Sequence, residues 1–177
     1  MVGPWVHHTN MLDVLLNEIV GPSLVINEGK HGETLSEGTH RLGYVLSLHS
    51  GVEYIYILQG ANDVSDGTNT PIGQMLASLE QMMDQASAHS LHPILVTVPP
   101  RTRQALLYDQ TWPTTEDWND ALRNYAFVNG IDWVDLHQAF VTQPGWESFL
   151  DEDGLHLTIA GEEFVAEVLY SAVTPLL

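Results

Sequence analysis

Apolar residues along the chain fall into two alternating rhythms, one short and dense, the other spread at helical spacing. The dense runs are SLVIN (Ser23 to Asn27), EYIYIL (Glu53 to Leu58), PILVTV (Pro93 to Val98) and IDWVDL (Ile131 to Leu136). Rich in β-branched and aromatic residues and bounded by Gly, Pro or polar positions, each fits a pleated, buried surface and predicts a strand. Apolar positions at helical periodicity over Met11 to Ile19, Leu35 to Leu48, Ile72 to Ala88, Glu116 to Val128 and Ile159 to Val173 predict helices. No internal repeat or low-complexity stretch interrupts the alternation.

A helix that follows a strand returns the chain to the same end of a sheet, so the pattern predicts parallel pairing with helices on both faces. In an open sheet of that kind, reactive groups gather at the carboxyl ends of the strands. Three loops rich in Gly and polar residues fall there: Glu28-Gly29-Lys30-His31-Gly32-Glu33-Thr34, Gln59-Gly60-Ala61-Asn62-Asp63, and Asp151-Glu152-Asp153-Gly154-Leu155-His156.

Each loop carries a chemical candidate beside a plainer structural one. Asp153 can accept a hydrogen bond from Nδ1 of His156, fixing the tautomer and leaving Nε2 as a general base. It could equally cap the helix that follows, with His156 a surface residue. Gly60 permits a backbone geometry closed to other residues, and Asn62 then offers a side-chain amide where a developing oxyanion could be held, although an Asx turn ending the strand gives the same sequence. Gly32 can bring a backbone N–H to the same place. A phosphate loop is the other reading of a Gly-rich strand-to-helix turn; neither G-x-G-x-x-G nor GK[ST] is present, and Glu28 and Glu33 would repel a phosphate.

Taken together and in order, INEGKHGET, ILQGANDV and DGLHLTIAGEEFVAEVL resemble blocks II, III and V of the SGNH (GDSL-type) hydrolase family, and the resemblance runs from about Trp5 to the end of the chain. It implies a flavodoxin-like, three-layer α/β/α sandwich that hydrolyses carboxylic esters, a small-molecule ester as substrate, and no metal or organic cofactor. Residue by residue, it implies His156 as the base, Asp153 as its orienting carboxylate, and Gly32 and Asn62 as oxyanion donors.

One block has no counterpart. Nothing in the chain reads Gly-Asp-Ser, and no G-x-S-x-G elbow exists. VGPWVHHTNMLDVLLNEI resembles the loop and helix that follow the family's nucleophile, so the domain, residues 1–177, is expected to be N-terminally incomplete and to lack its first strand. In a 2-1-3-4-5 order that strand is central. Its loss should leave the chain alone unstable, or SLVIN and EYIYIL paired directly, or a strand donated by another chain, and a homo-oligomer is also expected as a partner state; an open gap costs about 1–3 kcal/mol per unmatched group. Ser23, Ser36, Ser47 and Ser65 sit in the wrong places to act as nucleophile. A non-catalytic α/β binding or assembly module is the alternative reading.

Composition narrows the remaining classes. The 177 residues are 44% hydrophobic, enough for one sizeable core. There is no cysteine, hence no disulfide, thiolate nucleophile or Cys-based zinc site. A net charge of −18, from 23 Asp+Glu against 5 Lys+Arg, makes nucleic acid a poor partner. Those carboxylates are scattered rather than gathered in a tail, which suits either a saline habitat or an ordinary acidic protein. No apolar run reaches membrane-spanning length and MVGPWVHHTN lacks a signal-like pattern, so the expectation is a soluble chain, cytoplasmic by default. His7, His8, His89 and His92 lack the partners of a specific zinc site. His31 is expected to line the pocket mouth, and Gly60 and Trp112 or Trp118, the tryptophans in or beside the long loop after the third strand, to touch substrate.

Overall fold

The structure is a computed structural model that describes Leu12, Leu15, Leu16 and residues 25–64, 68–102 and 113–177. Helix α1 (Leu35–Leu48) leads to strand β1 (Tyr54–Ile57), α2 (Ile72–Ala88), β2 (His92–Val96), α3 (Thr115–Asn129) and β3 (Asp132–Val134). A short α4 (Leu136–Val141), a 3-10 turn (Trp146–Phe149) and the long α5 (Ile159–Val173) complete the order. The strands pair in parallel as β1-β2-β3, with Tyr54 opposite His92 and Val96 opposite Val134.

Helix starts are written in the side chains. Thr34 caps α1 in a reciprocal box with Glu37, and Thr114 caps α3 in the same way with Asp117. Each box satisfies backbone N–H groups that a first helical turn leaves without partners. Gly130, at φ 63°, ends α3 in the left-handed conformation that glycine adopts without strain.

Alternation along β2 divides the core. Leu95 joins Leu35, Leu79, Trp118 and Leu122 on one face, whereas Ile94 and Val96 join Phe140, Val165 and Leu169 on the other. Successive strand residues point to opposite faces, so a strand buried on both sides must be apolar throughout, as this one is. Helices α1, α2 and α3 cover the first face and α4 and α5 the second, giving the three layers expected. Burial of each large aliphatic side chain contributes about 1.5–3 kcal/mol. Where β2 leaves the sheet, Asn119, fully buried on α3, accepts from Val98 N at 2.8 Å and donates to Val98 O at 2.9 Å.

Two expectations are corrected. Val25 to Asn27, the described part of SLVIN, forms no strand, and among the described residues the sheet has three strands rather than four. Strand pairing requires a neighbour that completes a segment's ladder of hydrogen bonds, and among the described residues β1 pairs with β2 alone. The run IDWVDL stops as a strand at Val134 because the Asp135 carboxylate accepts from Gln138 N at 3.1 Å and starts α4. Of the expected Met11 to Ile19 helix, Leu12, Leu15 and Leu16 are helical and the rest lies outside the described residues, as do Ser23 and Leu24. No helix among the described residues is long and apolar enough to cross a membrane.

Candidate active site

The turn after β1 is shaped by what lies beneath it. Trp118 is fully buried and its indole N–H donates to Gln59 O at 3.0 Å. Gly60 sits directly over that ring: its φ is 106°, and a Cβ there would stand 2.3 Å from Trp118 Nε1. Only glycine satisfies both the torsion and the close approach. Beyond it the chain doubles back, Asp63 N and Val64 N both donating to Gly60 O at 3.1 and 3.3 Å. The result places Asn62 and Asp63 against the loop that precedes α1. Asn62 Nδ2 donates to Glu33 O at 3.0 Å, and the buried Asp63 Oδ2 accepts from Leu35 N at 2.9 Å. A carboxylate at the first turn of α1 also meets the positive end of the helix, while burial pushes its pKa above the ordinary range.

The loop before α1 turns at His31 and Gly32, with Glu33 N donating to Lys30 O at 3.3 Å. Gly32 has φ 74° and open space where a Cβ would project, so the torsion rather than crowding selects glycine here. Gly32 and His31 are exposed.

In the third loop the carboxylate is oriented before it meets the imidazole. Asp153 Oδ1 accepts from Leu155 N and His156 N, both at 2.9 Å, and Oδ2 meets His156 Nδ1 at 2.5 Å. The hydrogen bond from His156, followed by the two backbone donors, holds the Asp153 pKa down at about 2. Asp153 is not the helix cap, for Thr158 caps α5 by accepting from Gly161 N at 3.2 Å. A Cβ on Gly161 would lie 2.2 Å from Phe149 O, so the start of α5 is pressed against the preceding segment and the loop between them is fixed at both ends.

These loops meet. The rings of His31 and His156 stack with centroids 5.9 Å apart at 26°. Two contacts from the segment after β2 brace the junction: the buried Arg101 donates through Nη2 to Ala61 O at 2.6 Å, and Thr102 N donates to Gly154 O at 3.0 Å. Arg101 thereby holds the Asn62 turn while its neighbour holds the His156 loop. Sequence reasoning missed it; the available signal was a cation a few residues past an apolar strand, after Pro99 and Pro100, in a chain with five basic residues. Glu33 and Arg41 were missed likewise.

Other expected residues fall elsewhere. Trp118 is a core residue with no surface to offer a substrate, because it fills the space beneath Gly60, which is itself buried. Trp112, Ser65 and Ser23 lie outside the described residues. The Ser47 hydroxyl donates to Tyr44 O at 2.6 Å on the exposed side of α1, and Ser36 is exposed on the same helix. His92 pairs with Asp132 at 2.6 Å on the sheet's far end, and no group of three or more metal-ligating side chains occurs among the described residues.

Residues 3–164 match the family model of the GDSL-like lipases/acylhydrolases. The chain belongs to that family. Among solved structures, a lipase/acylhydrolase from Enterococcus faecalis superposes with a TM-score of 0.85 at 22% identity, covering 96% of this chain and 85% of its own. A variant of an acetyl-xylooligosaccharide esterase from Geobacillus gives 0.78 at 18% identity, covering 96% and 81%. A carbohydrate acetylesterase from Sinorhizobium meliloti gives 0.78 at 14% identity, covering 97% and 86%. At these identities the likeness establishes the fold of this GDSL-like domain. No match is found among curated protein sequences.

Proposed function

We propose that this GDSL-like domain hydrolyses small carboxylic esters through an acyl-enzyme. The observation that carries the reading is the meeting of the three loops: His156 stacks on His31, beside Gly32, while Asn62 donates to Glu33 in the same turn. A serine hydroxyl delivered there attacks the ester carbonyl as His156 Nε2 takes its proton. The Gly32 N–H and the Asn62 amide hold the tetrahedral oxyanion, the proton passes to the leaving alkoxide, and water repeats the sequence on the acyl-serine. The serine belongs to a Gly-Asp-Ser strand that the 177 residues do not contain. Such a strand would lie along the edge of β1, which among described residues pairs with β2 alone. A second chain donating a strand would occupy the same edge.

Two of the structural neighbours are described as acting on acetylated carbohydrates, which makes a short acyl group on a sugar hydroxyl the first substrate to test. In a form of the domain bearing the Gly-Asp-Ser strand, Asn62→Ala is expected to lower kcat about 10²–10³-fold, the loss associated with one oxyanion donor. Initial rates on a p-nitrophenyl ester measure it, and an unchanged kcat removes Asn62 from the mechanism. A second reading is a binding module that keeps the pocket without a nucleophile. If the serine-bearing form binds a short ester without turning it over, that second reading stands.

The acidic surface has its own proposal. With a net charge of −18, self-repulsion opposes the folded state at low ionic strength. At 1 M salt the screening length shrinks to about 3 Å. The midpoint of thermal unfolding is therefore expected to rise between low and molar KCl; a flat response defeats the idea of adaptation to salt.

A further inference from the structure

The loop that carries Gly32 is held on its flank by an ion pair between a buried carboxylate and a half-buried guanidinium. The Glu33 side chain is 1% exposed and meets Arg41 of α1 in a two-pronged contact, Nε donating to Oε1 at 2.6 Å and Nη2 to Oε2 at 2.8 Å. The same Nη2 donates to Glu28 O at 2.9 Å, so one guanidinium grips both ends of the segment from Glu28 to Glu33. From the opposite side Gln59 Nε2 donates to Glu33 Oε2 at 3.3 Å, and Asn62 Nδ2 donates to the Glu33 carbonyl at 3.0 Å. Gly38 of α1 leaves room for the cluster, since a Cβ there would stand 3.3 Å from both Glu33 Oε2 and Gln59 Nε2.

An ion pair with one partner buried adds little net stability compared with apolar side chains of similar volume. What a forked guanidinium–carboxylate contact supplies is a fixed relative geometry. The hydrogen bonds from Arg41 also hold the Glu33 carboxyl below its usual range, keeping the pair ionised. The consequence for the site is specific. An asparagine amide has two N–H groups; committing one to the Glu33 carbonyl fixes the plane of the amide and the aim of the other.

We propose that Glu33 and Arg41 are positioning residues that set the Gly32 N–H and the Asn62 amide in register for one oxyanion. The proposal rests on the oxyanion roles given above. Misplaced oxyanion donors weaken the transition state more than the bound substrate, so the effect falls on kcat rather than KM. In the serine-bearing form, Glu33→Gln and Arg41→Met are expected to lower kcat about 10- to 100-fold, the scale of a displacement of about 1 Å, with KM within about twofold. Arg41→Lys keeps the charge but not the fork and should fall between, and it keeps the test readable should Arg41→Met fail to fold.

The 177-residue chain itself supplies a readout independent of turnover. In Glu33→Gln and Arg41→Lys, backbone amides of residues 28–35 and 59–64 should exchange faster and the Asn62 side-chain amide resonances should shift, with α2 and α5 unchanged. Arg123→Met, which removes a separate ion pair with Asp135, should leave both loops unaltered. Unchanged exchange and an unshifted Asn62 resonance in both variants overturn the proposal. So does an unchanged kcat in those variants when Asn62→Ala is impaired. If Asn62→Ala itself retains full kcat, the oxyanion assignment fails instead, and the exchange result still decides whether the pair positions the two loops.

Discussion

Changing His156 to Ala in the serine-bearing form is expected to lower kcat by about 10⁶-fold, the scale seen when a nucleophile–base unit loses its base. Without the imidazole the attacking hydroxyl keeps its proton and the leaving alkoxide receives none, so both half-reactions stall. Asp153→Asn should cost less, about 10⁴-fold, because the base remains but its tautomer and orientation are no longer imposed. Asp153 also accepts two backbone N–H groups in its own loop, so that variant tests orientation and loop shape together. Initial rates on a p-nitrophenyl ester measure both, and a kcat within tenfold of the parent for His156→Ala ends the assignment.

The depressed pKa of Asp153 gives the same contact a definite pH window. A carboxyl shifted down to about 2 is fully ionised above its ordinary value near 3.9. Its attraction for the imidazole is therefore present from about pH 4 upward and is lost only as pH falls through about 2. An acid limb of the rate at higher pH belongs to another group.

The largest expected effect on stability is at Gly60. Gly60→Ala places a Cβ within 2.3 Å of the Trp118 indole nitrogen at a φ of 106°. The torsion costs about 1–3 kcal/mol, and overpacking against a fully buried ring about 1–3 kcal/mol more. Trp118 cannot retreat freely, because its N–H is bonded to Gln59 O and it belongs to the same packed core as Leu35 of α1 and Met75 and Leu79 of α2. A combined loss of about 2–6 kcal/mol is a large part of the about 5–15 kcal/mol typical of a domain. Urea unfolding midpoints measure it; a loss below about 1 kcal/mol means that the turn relaxes, and Asn62 would then be expected to move with it.

Much of this was legible in the chain. The bounds expected for the helices Leu35 to Leu48, Ile72 to Ala88 and Ile159 to Val173 are those observed, because each carries a helical apolar face and begins beside Thr34, Pro71 or Thr158. The dense run around Ile94 to Val96 was a strand for the reason sequence suggested: its residues are apolar on both faces. The contact between Asp153 and His156 was legible too, since a contact over three residues depends on local turn geometry alone.

The sequence by itself therefore determined the layered parallel fold, the family motifs and the local pairing of His156 with Asp153. It expected a strand over SLVIN, of which the described Val25 to Asn27 form none, because strand pairing depends on a neighbour that a segment's own residues do not specify. It misread Trp118 as a pocket residue, because an aromatic near a loop looks the same in sequence whether it faces the pocket or fills the floor beneath Gly60. Only the tertiary structure decided that Arg41 forks onto the buried Glu33 carboxylate eight residues away, and that Glu33 also meets Gln59 and Asn62 from another loop. Local periodicity records which side of an element is apolar; which buried charge meets which distant amide is fixed when the layers close, and that depends on contacts far apart in the chain.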